Sequence, residues 1–313
     1  LTGCPIGQPV FSFITYKIGP GDEEVLPSYL KLTSIPMTPW ITITRPVNVA
    51  IMFACVAAII GVIAPSKLMS LQALWAALST ALIGAAANVI NDVFDVAIDR
   101  INRPDRVLVR QAMSLTQAKV WAGLLFVAGF AASFPLGWIN VTIAWFAVVG
   151  LIGYSAYLKR TALLGNLAVS LLSALAFLYG GFAVDRPAAA FYPAGFAFLI
   201  HLARELVKDM EDMEGDALEN ARTFPIVFGI RLTVMVVTIT LTALAGLIVA
   251  AFVSGQYNRS FFVIGIVGIY PILGWALVML WRRTTKSALH TASTLLKWAM
   301  LVGLVAIVTG TVT

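Results

Sequence analysis

Leu71-Gln72-Ala73-Leu74-Trp75-Ala76-Ala77-Leu78-Ser79-Thr80-Ala81-Leu82-Ile83-Gly84-Ala85-Ala86-Ala87-Asn88-Val89-Ile90-Asn91-Asp92-Val93-Phe94-Asp95-Val96-Ala97-Ile98-Asp99-Arg100 decides the fold. From Leu71 to Asn91 it carries no charge, and about 20 apolar residues are what a helix needs to cross a bilayer. It then runs into three aspartates and an arginine within nine residues. A membrane helix that ends in a cluster of acids is the unit from which the rest of the chain can be read.

The surrounding composition agrees. The 313 residues are 60% hydrophobic and only 12% charged, with mean hydropathy +0.91. Soluble domains carry about 25% charged residues, so this chain lacks the supply for a water-facing surface. Further apolar stretches predict nine spans, at 46–64, 71–91, 117–136, 138–158, 162–184, 190–207, 232–253, 262–281 and 294–312. The expected fold is an all-α polytopic membrane bundle. Residues 1–39 read as a loose tail with an interfacial stretch from Tyr29 to Trp40, and residues 40–313 as one nine-span domain. Leu1-Thr2-Gly3-Cys4 has the look of a lipobox without the charged and apolar stretch that would precede one. Two cysteines, Cys4 and Cys55, support neither a disulfide framework nor a zinc site.

Charge fixes the expected orientation. With the N-terminus in the cytoplasm, only Lys67, Arg186 and Arg259 of the 21 Lys and Arg fall outside, as the positive-inside rule demands. The formal charge of +6 therefore reports topology in the cytoplasmic membrane, not nucleic acid binding. Of the 15 acids, only Asp185 is assigned outside. Apart from the tail cluster Asp22-Glu23-Glu24, the others gather near the cytoplasmic ends of the second and sixth spans. Four spans separate those two ends, so both emerge on one face.

The two acidic clusters carry the chemistry. Asn91, Asp95 and Asp99 repeat at i, i+4, i+8 on one helical face, flanked by Asn88 and Asp92. In Lys208-Asp209-Met210-Glu211-Asp212-Met213-Glu214-Gly215-Asp216, the residues Asp209, Asp212 and Asp216 share a face, while Glu211 and Glu214 are expected to meet solvent. Carboxylates about 6 Å apart repel by roughly 3 kcal/mol at an effective dielectric of 20, and ionised groups at a membrane margin are expensive and tend to be functional. A hard divalent cation relieves both problems. Mg²⁺ suits best, since it commonly takes one or two carboxylates plus substrate phosphates. The cations interleaved with these acids, Arg45, Arg100, Arg103, Arg106, Lys159, Arg160, Arg204, Lys208 and Arg222, fit a polyanion bridged by metal. No Gly-rich phosphate loop is present.

Asn91-Asp92-x-x-Asp95-x-x-x-Asp99 followed by Arg100-x-Asn102-Arg103-Pro104, together with Lys208-Asp209-x-x-Asp212-x-x-x-Asp216, resembles the paired motifs of the UbiA superfamily of intramembrane prenyltransferases. Thr44-Arg45-Pro46-x-Asn48, Tyr154, Lys159-Arg160 and Asn166 are similar too, and the resemblance runs from about residue 40 to the end. Lys208–Asp216 and Ala221–Gly229 look most like the digeranylgeranylglyceryl phosphate synthase branch. Asp105–Gln111 departs from the Pro-Ile-Pro-Ser-Gly-like turn common in the family.

The resemblance implies Mg²⁺-dependent transfer of a prenyl group, geranylgeranyl by the branch, from its diphosphate to a lipophilic acceptor, geranylgeranylglyceryl phosphate by the branch. It implies Asp95, Asp99, Asp212 and Asp216 as catalytic residues, and Asn91, Asp92, Asp95, Asp99, Asp209, Asp212 and Asp216 as metal ligands. It also implies Arg45, Asn48, Asn91, Arg103, Tyr154, Lys159, Arg204, Lys208 and Arg222 as substrate-binding residues. Arg106 and Arg110 are expected to meet the acceptor's phosphate. Phe94, Tyr154, Tyr157, Phe177 and Tyr179 are candidates to line a prenyl channel. His201 and His290, the latter placed in a loop, read as structural. An aromatic acceptor is the alternative within the family. A cation-coupled transporter is the rival class, disfavoured because transporter sites lie near the bilayer midplane and these acids lie at span ends.

Overall fold

The computed structural model describes residues 38–218 and 220–311, with the side chains of residues 101 and 102 outside that description. Residues 1–37 of the expected tail, with its first four residues and most of the interfacial stretch, lie outside the described residues. The helices run α1 (Pro39–Thr42), α2 (Pro46–Ile63), α3 (Leu71–Phe94), α4 (Val96–Asn102), α5 (Leu115–Ala131), α6 (Trp138–Ala156), α7 (Leu164–Ala183), α8 (Pro187–Leu218), α9 (Phe224–Phe228), α10 (Ile230–Val253), α11 (Arg259–Ile264), α12 (Tyr270–Arg282) and α13 (Lys286–Gly310). A π turn at Gly265–Ile269 joins α11 to α12. Among the described residues the only β pairing is an isolated Tyr257–Thr311 bridge.

Side chains set several helix starts. Ser70 accepts from the Ala73 amide, and Thr285 accepts from that of Ala288. Ser114 and Gln117 form a reciprocal capping box. The Thr285 cap starts α13 early, so His290 lies inside a helix and not in the expected loop.

Among the described residues, eight helical segments are long and apolar enough to span a membrane. They match eight of the expected spans, with the eighth span built from α11, the π turn and α12 together. The remaining expected span, 190–207, falls inside α8 and is not among the eight. Its apolar half is diluted by Pro193, His201, Arg204 and Glu205. At 32 residues α8 is roughly 48 Å long. That is longer than the about 30 Å of a hydrocarbon layer.

Two helices organise the packing. α3 is 61% buried across its apolar window, and its small residues Ala73, Ala76, Ala77, Ala81, Ala85 and Ala86 let α2, α5, α6 and α7 approach closely. Gly129 of α5 shows how closely, since a Cβ there would stand 2.9 Å from the Ile83 backbone nitrogen. α8 plays the same part in the second half, where Leu206, Val207 and Met210 join a core with α10, α12 and α13. α7 and α8 pack along each other and connect the halves.

Polar side chains inside the first half find partners. The Tyr179 hydroxyl donates to Ser79 Oγ at 2.9 Å, and Ser79 donates to the Gly129 carbonyl at 2.7 Å. Asn140 donates to the Tyr179 carbonyl at 2.9 Å. Tyr179 is therefore a buried tie between helices and not an open channel wall, and Tyr157, 77% exposed, points outward.

Candidate active site at the helix ends

The end of α3 is where the first cluster acquires its shape. Asp95 leaves the helix with φ −94° and ψ 3°, in the sparsely populated bridge region. The hydrogen bonds Asp95 N–Asn91 O, 2.9 Å, and Asp99 N–Asp95 O, 2.8 Å, persist on either side. The expected continuous stripe Asn91–Asp95–Asp99 is thus broken at its middle residue. Asp95 lines a cleft, and Asp99 does not.

That cleft, ≈ 60 Å³, is lined from five elements and by Ala221, which follows α8. Asp95 and Ile98 come from the α3–α4 junction. Tyr154 comes from the end of α6, and Lys159 and Arg160 from the single 3₁₀ turn Leu158–Arg160 that follows it. Gly165 and Asn166 open α7, and α8 supplies Glu205, Lys208, Asp209, Asp212 and Asp216. Gly165 is required by the crossing, because a Cβ there would lie 2.4 Å from the Leu158 carbonyl oxygen. Its bareness lets the 3₁₀ turn settle on α7 and deliver Lys159. The Arg222 amide donates to the Arg160 carbonyl at 2.9 Å, stitching the chain after α8 to the same turn.

Side-chain bonds divide the acids. Asp95 accepts from Lys159 Nζ at 2.5 Å and from Asn91 Nδ2 at 2.7 Å. Asp92, 3% exposed, accepts from both Arg45 and Arg106. Burial pushes the Asp99 carboxyl above the usual carboxylate range, opposed by Arg106 and Arg103 and reinforced by Asp92 and Asp95. On α8, Asp209 accepts from Asn166 Nδ2 at 2.8 Å. Burial raises its carboxyl to about 7, against the Asn166 bond and Lys208, with Glu205 and Asp216 adding to the rise. Asp212 is exposed at the rim.

Glu205 is the residue that sequence reasoning missed. It lies in the cleft and pairs with Arg204 at 2.9 Å. Its spacing to Asp209, Asp212 and Asp216, at i, i+4, i+7 and i+11, would have found it, because all four fall on one helical stripe. Glu211 was expected in solvent. It is only 18% exposed and meets His290 Nδ1 of α13 at 2.8 Å. Glu214 is exposed as expected.

The proposed substrate contacts separate in the same way. Tyr154, Lys159 and Lys208 line the cleft, while Asn91 reaches it through Asp95. Arg45, Asn48, Arg103, Arg204 and Arg222 do not line it, and Asn48, Arg103 and Arg222 are exposed. Arg204 is turned to Glu205, with its Nε buried and unpartnered among the described residues. Arg106 is committed to Asp92, away from the acceptor role expected for it, and Arg110 is exposed.

Among the described residues no three His, Cys, Asp or Glu side chains converge closely enough to hold an ion unaided. The donor set nevertheless fits Mg²⁺, whose coordination commonly combines one or two carboxylates with phosphate oxygens and waters. Five carboxylates around a cleft that also carries Lys159, Arg160 and Lys208 supply the protein's share.

Residues 50–308 match the UbiA prenyltransferase family model. Digeranylgeranylglyceryl phosphate synthase of Methanoculleus marisnigri is 43% identical over 196 residues, covering 62% of this chain and 70% of that protein. The synthase of Methanobrevibacter smithii is 32% identical over 285 residues, covering 88% and 99%. A solved structure of a digeranylgeranylglyceryl phosphate synthase superposes with TM-score 0.77 at 25% identity, over 87% of this chain and 97% of that one. A UbiA homolog from Archaeoglobus fulgidus bound to DMAPP and Mg²⁺ shares the fold, with TM-score 0.62 at 17% identity over 85% and 99%.

Proposed function

The chain belongs to the UbiA prenyltransferase family and is an integral membrane prenyltransferase, and from that premise we propose that it transfers a geranylgeranyl group from its diphosphate to geranylgeranylglyceryl phosphate. The observation that carries the proposal is the single cleft shared by Asp95, Asp209, Asp212, Asp216, Lys159, Arg160 and Lys208. The synthase relatives supply the choice of acceptor within the family.

In this reading Asp95, Asp209, Asp212 and Asp216 would hold Mg²⁺ together with the donor's diphosphate, with Asp99 one helical turn beyond Asp95. Mg²⁺ supplies positive charge to the departing diphosphate. Lys159 and Lys208 add their own, in a site where fixed charge is worth more than in water. The bond between the allylic C1 and the diphosphate oxygen breaks, the bond from the acceptor hydroxyl oxygen to C1 forms, and the hydroxyl proton is released. Tyr154 presents a ring to the same cleft, suited to face positive charge on the allylic carbon. Arg160 and Arg222, joined through their backbones, are the cations we assign to the acceptor's phosphate.

We further assign the cleft to the cytoplasmic side and α8 to a ninth crossing. Eighteen of the 21 basic residues then fall inside, in keeping with the positive-inside rule.

The test runs geranylgeranyl diphosphate with geranylgeranylglyceryl phosphate, 4-hydroxybenzoate and homogentisate in parallel. The glycerol ether should be prenylated efficiently. Prenylation of either aromatic with none of the ether would remove the acceptor assignment and leave the family assignment standing.

A further inference from the structure

Asp92 is an acid of the first motif that does not line the cleft. The sequence pattern groups it with the metal ligands, yet both of its oxygens are already engaged. Arg45 Nη2 donates to Oδ1, and Arg106 Nη1 lies 3.0 Å from Oδ1 and 3.1 Å from Oδ2. A carboxylate this deeply buried requires such compensation, and two guanidiniums supply it in full. One turn earlier on α3, Asn88 Nδ2 donates to the Thr44 carbonyl at 2.8 Å. The last turns of α3 therefore grip residues 44 and 45 twice.

The gripped corner is itself unusual. Arg45 is left-handed, with φ 56° and ψ 68°, and Pro46 starts α2 directly after it. A non-glycine residue persists in that region only where its surroundings hold it there. Arg106 comes from a different segment, the 103–113 loop, whose Val107, Leu108 and Met113 are buried in the α3 core. The backbone break at Asp95 follows three residues after Asp92.

We propose that Asp92 is a positioning residue and not a ligand of the divalent cation: it clasps the start of α2, the end of α3 and the 103–113 loop through Arg45 and Arg106. The clasp fixes the last turn of α3, and with it the direction in which Asp95 leaves the helix. Asp92 so acts on the reaction through Asp95. This inference rests on the prenyl-transfer reading for its effect on turnover, but its metal count and its loop protection can be read without any acceptor.

The experiment uses the full chain in nanodiscs, with D92N, R106Q, the double variant, R106K and D95N. Bound Mn²⁺ is counted by EPR in the presence of inorganic diphosphate. D92N should hold the wild-type number of ions, and D95N fewer. Hydrogen exchange across residues 103–113 should quicken to the same extent in D92N and R106Q. In turnover, each single change should lower kcat by about 10- to 100-fold, the range seen when partners behind metal ligands are removed. KM for geranylgeranyl diphosphate should stay within about threefold of wild type, since ground-state binding is retained. The double variant should be no worse than D92N alone, because the interaction that R106Q removes is one of the two that D92N already breaks, and R106K should recover part of the loss.

Fewer ions in D92N, additive losses in the double variant, or unchanged kcat in R106Q would each overturn the clasp. If D92N fails to fold, R106Q carries the test alone, because Arg106 sits on the loop. Absence of any prenyl transfer by the wild type would instead remove the parent reading, leaving the ion count and the exchange data to judge the clasp.

Discussion

The two acidic motifs have the same residue types and opposite electrostatic preparation. In the first, protein cations already occupy the aspartates: Arg45 and Arg106 on Asp92, and Lys159 on Asp95. In the second, Asp209 accepts a neutral amide from Asn166, Asp212 is exposed at the rim, Glu205 pairs with its sequence neighbour Arg204, and Asp216 is engaged as well. The backbones differ in the same sense. The first motif is broken at Asp95 and pinned from three sides. The second is a straight stripe on an unbroken 32-residue helix. Asp92 and Asp95 are thus met by cations from distant segments, while Asp209 and Asp212 are the carboxylates that gain most from a cation brought from outside.

That contrast can be broken most completely by removing the cation. Purified protein treated with EDTA should lose prenyl transfer altogether and regain it with Mg²⁺, as measured by radiolabelled geranylgeranyl incorporation. Full transfer in EDTA would sink the metal assignment for both motifs. Neutralising one carboxylate on each side comes next. D95N and D212N should each lower kcat/KM by at least about 100-fold, as expected when charge stabilisation of the departing group is lost. Membrane insertion and gel-filtration profile should be unaltered. Only D95N also strips Lys159 of its partner, so D95N and K159Q should combine less than additively, whereas D212N and K159Q should add.

Glu205 sharpens the comparison further. As a fourth acid on the α8 stripe, E205Q should raise the Mg²⁺ concentration for half-maximal activity by about tenfold, in the range for groups supporting a metal site. A Mg²⁺ titration identical to wild type would confine Glu205 to its pairing with Arg204.

The smallest effect concerns pH. Burial raises the Asp209 carboxyl to about 7, so without divalent cation its charged form is disfavoured in the folded protein. This contribution to stability is fully present below the ordinary carboxylate range and is lost as pH rises through about 7. Metal-free wild type should therefore lose a few degrees of Tm between pH 5 and pH 8 relative to D209N, and Mg²⁺ with diphosphate should shrink the difference. A D209N curve parallel to wild type would show that Asp209 titrates normally.

Much of this was legible in the chain, and the reasons differ by residue. The span at Leu71–Asn91 could be read from length and apolarity alone, and the acids at its end from their cost in that setting. Glu205 was also legible, since its stripe with Asp209, Asp212 and Asp216 needs only helical spacing. It lies three residues before Lys208, where the resemblance to the family's second motif begins. The break at Asp95 could not be read. Val93-Phe94-Asp95-Val96-Ala97 contains neither proline nor glycine, and the side-chain ties around it are tertiary. The Arg45–Asp92 pair joins positions 47 apart, and Glu211–His290 joins positions 79 apart. Local pattern carries no information at that range. It therefore assigned Arg45 to substrate and Glu211 to water. The span count was vulnerable at α8, where one helix serves both apolar packing in the core and a polar cleft.

The Tyr179–Ser79 tie bears on the order in which the protein can be made. Its partners are 100 residues apart, and the bonds from Ser79 to Gly129 and from Asn140 to Tyr179 reach across 50 and 39. A ribosome adding about 5–20 residues per second needs roughly 5–20 s to travel from the serine codon to the tyrosine codon. Through that interval α3 is already released toward lipid, and its Ser79 waits for a hydroxyl that has not yet been translated. α7 is the last of the four tied helices to be synthesised, so the first half of the bundle can lock only when it arrives.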